Sequence, residues 1–367
     1  MNESFTPPAD RQSVFAWLRA RFFSGWVSAL TTLAIIYLAW QVIPELVQWA
    51  LFHAVWSPEN PQLCRDAAAH GACWAFIADK HRFILFGTYP VAEQWRPAAV
   101  IVLLIGLWAL TAMRFAAWPR LAACWVVGLA AIGALMWGGV FGMSYVENER
   151  WGGLTLTLLL STFGLALAFP LAILLALARR SDLPVLRWCA VAYIEVIRGV
   201  PLVSVLFMAS VLLPLFLPAG VSIDKLLRAQ LALIFFAAAY LAEVVRGGLQ
   251  AIPRHQDEAA QALGLNYWQR TWFVILPQAL RIAIPPLVNT FIGFFKDTSL
   301  VVIIGLFDFL TAIKVSLSEP AWTGFGVEAY LFAAAGYFLF CYPMSLYSRI
   351  LERRVVPERR MRGVAES

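Results

Sequence analysis

Charged side chains are scarce in this sequence. Asp, Glu, Lys and Arg make up 14 % of it, where soluble globular chains carry about a quarter. With 61 % hydrophobic residues, 16 Trp and 26 Phe, a water-soluble fold is excluded and an integral membrane protein is expected. Reactive motifs are missing as well. There is no GxxxxGK[ST] phosphate loop, no GxSxG elbow, no HExxH and no flavin or nicotinamide fingerprint, and no stretch is long and polar enough for an ATPase domain. Together these absences argue against an enzyme and against a cofactor held by this chain. Three of the four histidines, His53, His70 and His81, share one loop, but their spacings fit no ligand pattern. No CxxC or Cys/His cluster is present either, so no metal site is expected. No stretch interleaves basic and aromatic residues as a nucleic-acid groove does, which excludes that class of partner. The first apolar run, Phe22 to Ile43, is too long for a cleavable signal and lacks a small-residue cleavage site.

What the sequence does have is long apolar runs. They are continuous rather than alternating, so they read as membrane-crossing helices in contact with lipid, not as barrel strands. Eight are expected: 23–43, 97–113, 121–141, 154–178, 201–217, 229–245, 278–295 and 328–348. A shorter apolar stretch, Ser299 to Ala312, predicts a broken or re-entrant helix. An amphipathic piece from Leu186 to Val200 precedes the fifth run. The fold class is therefore all-α, and three parts are expected. Residues 1–150 hold three helices and a long loop over about 44–96, residues 151–352 hold five helices, and residues 353–367 form a basic tail. Most of the Lys and Arg fall on the side that carries both termini, so the positive-inside rule places both termini in the cytoplasm and the 44–96 loop outside. The net charge of +6 needs no other explanation.

One polar island interrupts the apolar runs of the second half. Residues Glu258-Ala-Ala-Gln-Ala-Leu-Gly264-Leu-Asn-Tyr-Trp-Gln-Arg-Thr-Trp-Phe-Val-Ile-Leu276-Pro277 read as two short helices with a hinge. Ala259, Ala260, Ala262 and Leu263 are strong helix formers behind Asp257 and Glu258, whose charges suit a helix start. Gly264 can take the left-handed conformation that ends a helix. Asn266 with Gln269 makes a capping box for the next one, and Pro277 is expected to close it.

The order Glu-Ala-Ala, Gly, an aliphatic residue and Leu-Pro resembles the coupling loop, here about 250–277, of binding-protein-dependent ABC importer permeases. Val274 stands where that family usually has isoleucine. The flanks Tyr240 to Pro253, Pro277 to Pro286, Lys296 to Leu300 and Tyr193 to Leu202 are similar to the polar amino-acid (histidine/glutamine-type) branch. The resemblance covers roughly residues 151–352. It implies a five-helix type I importer core, here preceded by three extra helices, in a bacterial inner membrane. It also implies a second permease subunit forming a heterodimer, two ABC ATPase subunits that bind ATP and Mg, and a periplasmic amino-acid-binding protein. Coupling would run through Glu258, Ala259, Ala260, Gly264, Leu276 and Pro277.

Ionisable residues in apolar runs are costly and therefore paired or functional. Glu195 with Arg198, and Glu243 with Arg246, sit three apart on one helix face and are expected to pair, either as ordinary interfacial salt bridges or as parts of a cytoplasmic gate. Asn289, Thr290, Lys296, Asp297, Thr298 and Ser299, with Asp308 as a further candidate, are expected either to line a path for a zwitterion or to cap the broken helix. Cys64 and Cys73, with eight residues between them in the outer loop, are expected to form a disulfide. The rival class, an ion-gradient-driven secondary transporter or channel, predicts inverted repeats, which the two halves do not show.

Overall fold

A computed structural model describes residues 18–19, 21–57, 61–67, 70–113, 118–218 and 223–355. Arg114, most of the polar start and the basic tail beyond residue 355 lie outside the described residues. The chain divides into two compact units, residues 1–78 and 79–367. Among the described residues there are no β-strands, and seven helical segments are long and apolar enough to cross a membrane, or eight if one bent pair is a single span.

The first unit contains α1, Trp26–Val47, extended by a π-helical turn over Gln48–Phe52, and α2, Pro61–Ala67. Helix therefore occupies the start of the stretch expected to be loop, with Pro44 inside α1. Cys64 and Cys73 are bonded, with Cα atoms 5.5 Å apart. The Trp74 Nε1–H donates to the Ala50 carbonyl at 2.7 Å. Helix α3, Ala75–Phe86, carries the chain into the second unit.

That unit begins with two membrane-length helices, α4 (Trp95–Met113) and α5 (Trp118–Trp137). The larger part of its interior is built around α6, Gly153–Arg179, and α9, Lys225–Gln250, which pack along most of their length. The reason lies in their small residues. Ala168, Ala172 and Ala176 on α6 recur every four positions, and α9 contributes Ala237, Ala238 and Ala242, all buried. Without a hydrophobic driving force between helices in lipid, close backbone approach through such residues supplies the packing energy. Leu156, Leu160, Leu233 and Leu241 fill the remaining space.

Helices α7 (Pro184–Gly199) and α8 (Leu202–Leu215) form the bent pair, with 104° between them. The break is written locally. Val200 is extended at φ −106°, ψ 135°, the conformation a following proline imposes, and Pro201 precedes α8. The fifth apolar run is thus a 14-residue helix rather than a straight membrane-length one.

After α9 come α10 (Arg254–Ala262), α11 (Tyr267–Arg270), a π turn over Thr271–Ile275, and α12 (Leu276–Asp297). Pro277 does not close a segment here, contrary to expectation. The preceding turn is wound with five-residue spacing, the Leu276 N–H donating to the Thr271 carbonyl. Pro277 thus falls in the first turn of α12, where a proline is tolerated. The Gln278 side chain takes the Val274 carbonyl at 2.8 Å. Helix thus runs continuously from Tyr267 to Ile304, ending in a 3-10 stretch over Thr298–Ile304. The remaining elements are α13 (Phe309–Ser316) and α14 (Gly326–Val355).

Residues 79–150 are tied to this core by directional bonds. The Thr155 hydroxyl donates to Leu85 O at 3.0 Å, and the Asn148 side-chain amide donates to Asp224 at 3.2 Å. The Trp322 indole N–H donates to Asp79 at 2.9 Å, and Lys80 meets Glu319 at 2.6 Å. Burial by itself would depress the Lys80 ammonium, but its bonds to Glu319 and Asp79 prevail and hold its pKa above the usual lysine range.

Candidate functional site

The polar turn between α9 and α12 is assembled almost entirely by local forces. Pro253 precedes α10 at φ −62°, and Asp257 lies in the first turn, where a carboxylate favours the helix dipole. The helix begins at Arg254, so Glu258 sits one turn further in than the sequence suggested. At the other end Gly264 adopts φ +77°. Its N–H donates to Gln261 O at 2.9 Å, and the next N–H, of Leu265, reaches Ala260 O at 3.2 Å. This is the paired closure of a Schellman cap, which needs a left-handed residue. Open space surrounds Gly264, so the requirement comes from the backbone alone. The capping box follows: Gln269 N–H donates to Asn266 Oδ1 at 2.9 Å, and Asn266 N–H to Gln269 Oε1 at 3.0 Å.

The faces of α10 are sharply divided. Ala260 is 3 % exposed, whereas Glu258 and Ala259 face outward and Leu263 at the tip is 81 % exposed. Arg270 ties the two short helices together, meeting Asp257 at 3.3 Å while its guanidinium lies 5.7 Å from the Tyr267 ring centre. Leu276 is buried behind the turn. An open cleft of about 310 Å³ runs beside α10, with Arg180, Arg254, Asp257, Glu258 and Arg270 among its walls. Leu263 was not singled out from sequence. An apolar residue immediately before a helix-ending glycine is the signal that marks it as a projecting knob.

Close by, the charges expected as two separate pairs form one cluster. Glu243 accepts from Arg246 Nε at 2.9 Å and from Arg179 at 3.2 Å, and lies 3.9 Å from Arg198. Glu195 meets Arg179 at 2.9 Å. The expected Glu195–Arg198 pair is therefore corrected: each residue reaches across to a different helix. Arg179, the last residue of α6, is the member that sequence reasoning missed. It links α6 to both α7 and α9. The Arg198 guanidinium also lies 5.7 Å from the Tyr240 ring centre, and Arg180 donates to Leu249 O at 3.1 Å.

The polar residues of α12 and beyond separate into two groups. Asp308 is fully buried and caps α13, accepting from Leu310 N–H at 3.0 Å, Thr311 N–H at 3.1 Å, the Thr311 hydroxyl and the Tyr337 hydroxyl at 3.5 Å. Its acceptor capacity is engaged within the fold. Thr298 is buried and donates to Phe295 O at 2.8 Å; Thr290 bonds back to Pro286 O at 2.9 Å. Asp297 and Ser299 are half-buried. Asn289 and Lys296, by contrast, lie on an exposed stripe of α12 that also includes Ile282, Pro286 and Gly293.

A set of membrane-length helices interrupted by one capped, outward-facing polar turn is the architecture of a transport permease. Residues 168–357 match the family described as "binding-protein-dependent transport system inner membrane component". The chain belongs to this family and is a multi-pass membrane permease subunit of an ABC importer. It is 48 % identical to the inner membrane amino-acid ABC transporter permease protein YhdY of Escherichia coli K12, over 95 % of each chain. It is 37 % identical to the glutamate/glutamine/aspartate/asparagine transport system permease protein BztC of Rhodobacter capsulatus, over 96 % of each. Among solved structures, the crystal structure of an amino acid ABC transporter with histidines shares 32 % identity. That likeness covers 55 % of this chain and 92 % of the other, with a TM-score of 0.49.

Proposed function

We propose that this subunit forms one half of the channel of an ATP-driven importer of amino acids, polar or broad in range, in a bacterial inner membrane. The observation that carries the coupling part of this reading is the outward face of α10. There the Glu258 carboxylate and the Leu263 side chain project from a helix whose other face is buried. Such a face suits a cleft on a partner, with Leu263 as the apolar anchor and Glu258 seeking a cation there. The partners in this reading are a second permease subunit making a heterodimer, two ABC ATPase subunits and a periplasmic amino-acid-binding protein. ATP and Mg are bound by the ATPases, and no nucleotide or metal is held by this chain.

Both termini and the Glu258 turn lie in the cytoplasm in this scheme, which the distribution of Lys and Arg supports. ATP-driven closure of the ATPases draws Glu258, Ala259, Ala260 and Gly264 of the two subunits together. The movement passes through Leu276 and Pro277 into α12. The exposed stripe with Asn289 and Lys296 then faces the shared path, and Asp297 and Ser299 border it. The cluster of Glu195, Arg198, Glu243 and Arg246, joined by Arg179, serves as the gate that rearranges. Amino acids are the substrate class because YhdY and BztC are named for them and align over nearly the whole chain.

Purification from the native membrane followed by reconstitution tests the reading. Co-purification of a soluble ATPase, and ATP-dependent uptake of labelled amino acids only with a binding protein present, are expected. Uptake driven by an ion gradient without ATP would overturn it.

A further inference from the structure

The loop that follows α5 has no role in the scheme above and carries an unusual residue. Among the described residues Phe141 is the only non-glycine with positive φ, at 52°, and it is 94 % exposed. A side chain in that region is disfavoured relative to glycine. Exposure of a single aromatic residue means little, but exposure combined with a disfavoured backbone points to a side chain that is wanted there.

The loop is also rigid at its base. Gly139 N–H donates to Met143 O at 2.9 Å, Met143 N–H to Val140 O at 3.0 Å, and Val146 N–H to Trp137 O at 2.8 Å. Arg96, fully buried, donates to Leu135 O at 2.6 Å and to Ser144 O at 3.0 Å. The Ser144 hydroxyl in turn reaches Glu93 at 3.0 Å. A Cβ on Gly138 would fall 2.0 Å from Ser144 O, so the two strands of the loop close as tightly as they can. A buried guanidinium thus clamps the stem, and the tip presents Val140, Phe141 and Tyr145, at 44 %, 94 % and 64 % exposure.

The chemistry of the tip selects its partner. No Asp, Glu, Lys or Arg occurs between Arg120 and Glu147, and the loop directly continues a membrane-length helix. Trp137 immediately precedes the loop and Tyr145 lies within it, the two residue types that concentrate at the membrane–water boundary. A protein partner that docks and leaves is met by polar and charged groups around an apolar centre, and residues 138–146 carry no charged side chain. We infer that the loop over residues 138–146 is a preformed interfacial anchor, with Phe141 inserted among lipid headgroups and upper acyl chains. The Arg96 clamp transmits that depth to α4 and α5.

Site-directed spin labelling tests this on the full chain in vesicles of phosphatidylethanolamine and phosphatidylglycerol. Phe141→Cys is labelled in a background where Cys124, Cys189 and Cys341 are serine, and Tyr145→Cys and Glu147→Cys are labelled in parallel. The anchor predicts that the labels at 141 and 145 collide more with dissolved oxygen than with a water-soluble nickel chelate, and that the ratio inverts at 147. Nickel access at 141 equal to that at 147 would place the tip in water and overturn the inference. An immobilised label shielded from both reagents would assign the tip to a protein partner and overturn it equally. The readout needs no transport, so it stands or falls separately from the proposed function.

Discussion

Two charged regions lie near one another in this permease, and they are built on opposite principles. The turn around Glu258 completes its hydrogen bonds within itself: the Gly264 closure and the Asn266–Gln269 box span three to five residues. Its outward face is left unused. The Glu243 cluster does the reverse. Its carboxylate accepts from arginines on α6 and α9 and faces a third on α7, and no member is satisfied by its own helix alone except through Arg246. A self-contained turn can move as a unit and offer a face to a partner, whereas an interlocked cluster resists movement until several contacts exchange together. In a machine that converts an external push into a change of access, the first suits the handle and the second the latch.

The sharpest way to break this comparison is at the handle. Under the proposed coupling, Glu258→Ala should leave the fold intact but remove one member of a partly dehydrated pair with an ATPase subunit, at about 2–5 kcal/mol. This corresponds to a loss of about thirtyfold or more in docking or coupled uptake. ATPase activity and uptake in reconstituted vesicles, at matched expression, check it; wild-type values for both would make α10 an ordinary loop.

The latch should answer differently. Glu243→Gln removes a charge-assisted acceptor, and each such bond is worth roughly 1.5–3 kcal/mol. The solubilised subunit should therefore melt several degrees lower while ATPase docking persists. A double-mutant cycle between Arg179 and Glu243 should show coupling of about 1 kcal/mol or more. An additive cycle would dissolve the cluster into unrelated contacts.

Backbone geometry gives the next smaller effect. Gly264→Val forces a β-branched side chain into the left-handed region, costing roughly 1–2 kcal/mol. It should misplace Glu258 and lower coupled uptake, while Gly264→Asn, which tolerates that region better, should retain more of it. Equal loss in both variants would show that the space around residue 264, not its φ, is what matters.

The smallest effects should come from the solvated members of each region. Glu195 has a side chain 54 % exposed, and Arg254 is exposed. Exposed pairs are worth about 0–1 kcal/mol, so Glu195→Gln should shift the melting temperature much less than Glu243→Gln. Arg254→Ala should leave uptake within a few-fold of normal. A large effect of either variant, measured in the same melting and uptake assays, would mean that these residues meet a dehydrated surface in the full assembly.

The amino-acid sequence by itself determined the membrane class, the approximate helix positions and the internal geometry of the Glu258 turn. Those features depend on composition over a window of about twenty residues, or on hydrogen bonds between residues three to five apart, as at Gly264 and Asn266. Only the tertiary structure decided the rest. A long guanidinium at helical spacing from a carboxylate has a choice of partners. Arg198 and Glu195 both leave their own helix because α6 and α9, brought together by their alanines, place Arg179 and Glu243 within reach. Pro277 reads as a stop but continues the helix, because it falls in the first turn of α12, behind the π turn. Asp308, the further candidate for the zwitterion path, caps α13 and also meets Tyr337, twenty-nine residues away. The exchange of partners at Arg198 and Glu195 and the contact of Asp308 with Tyr337 were set by which helices came to lie side by side, and no local pattern of residues contains that information.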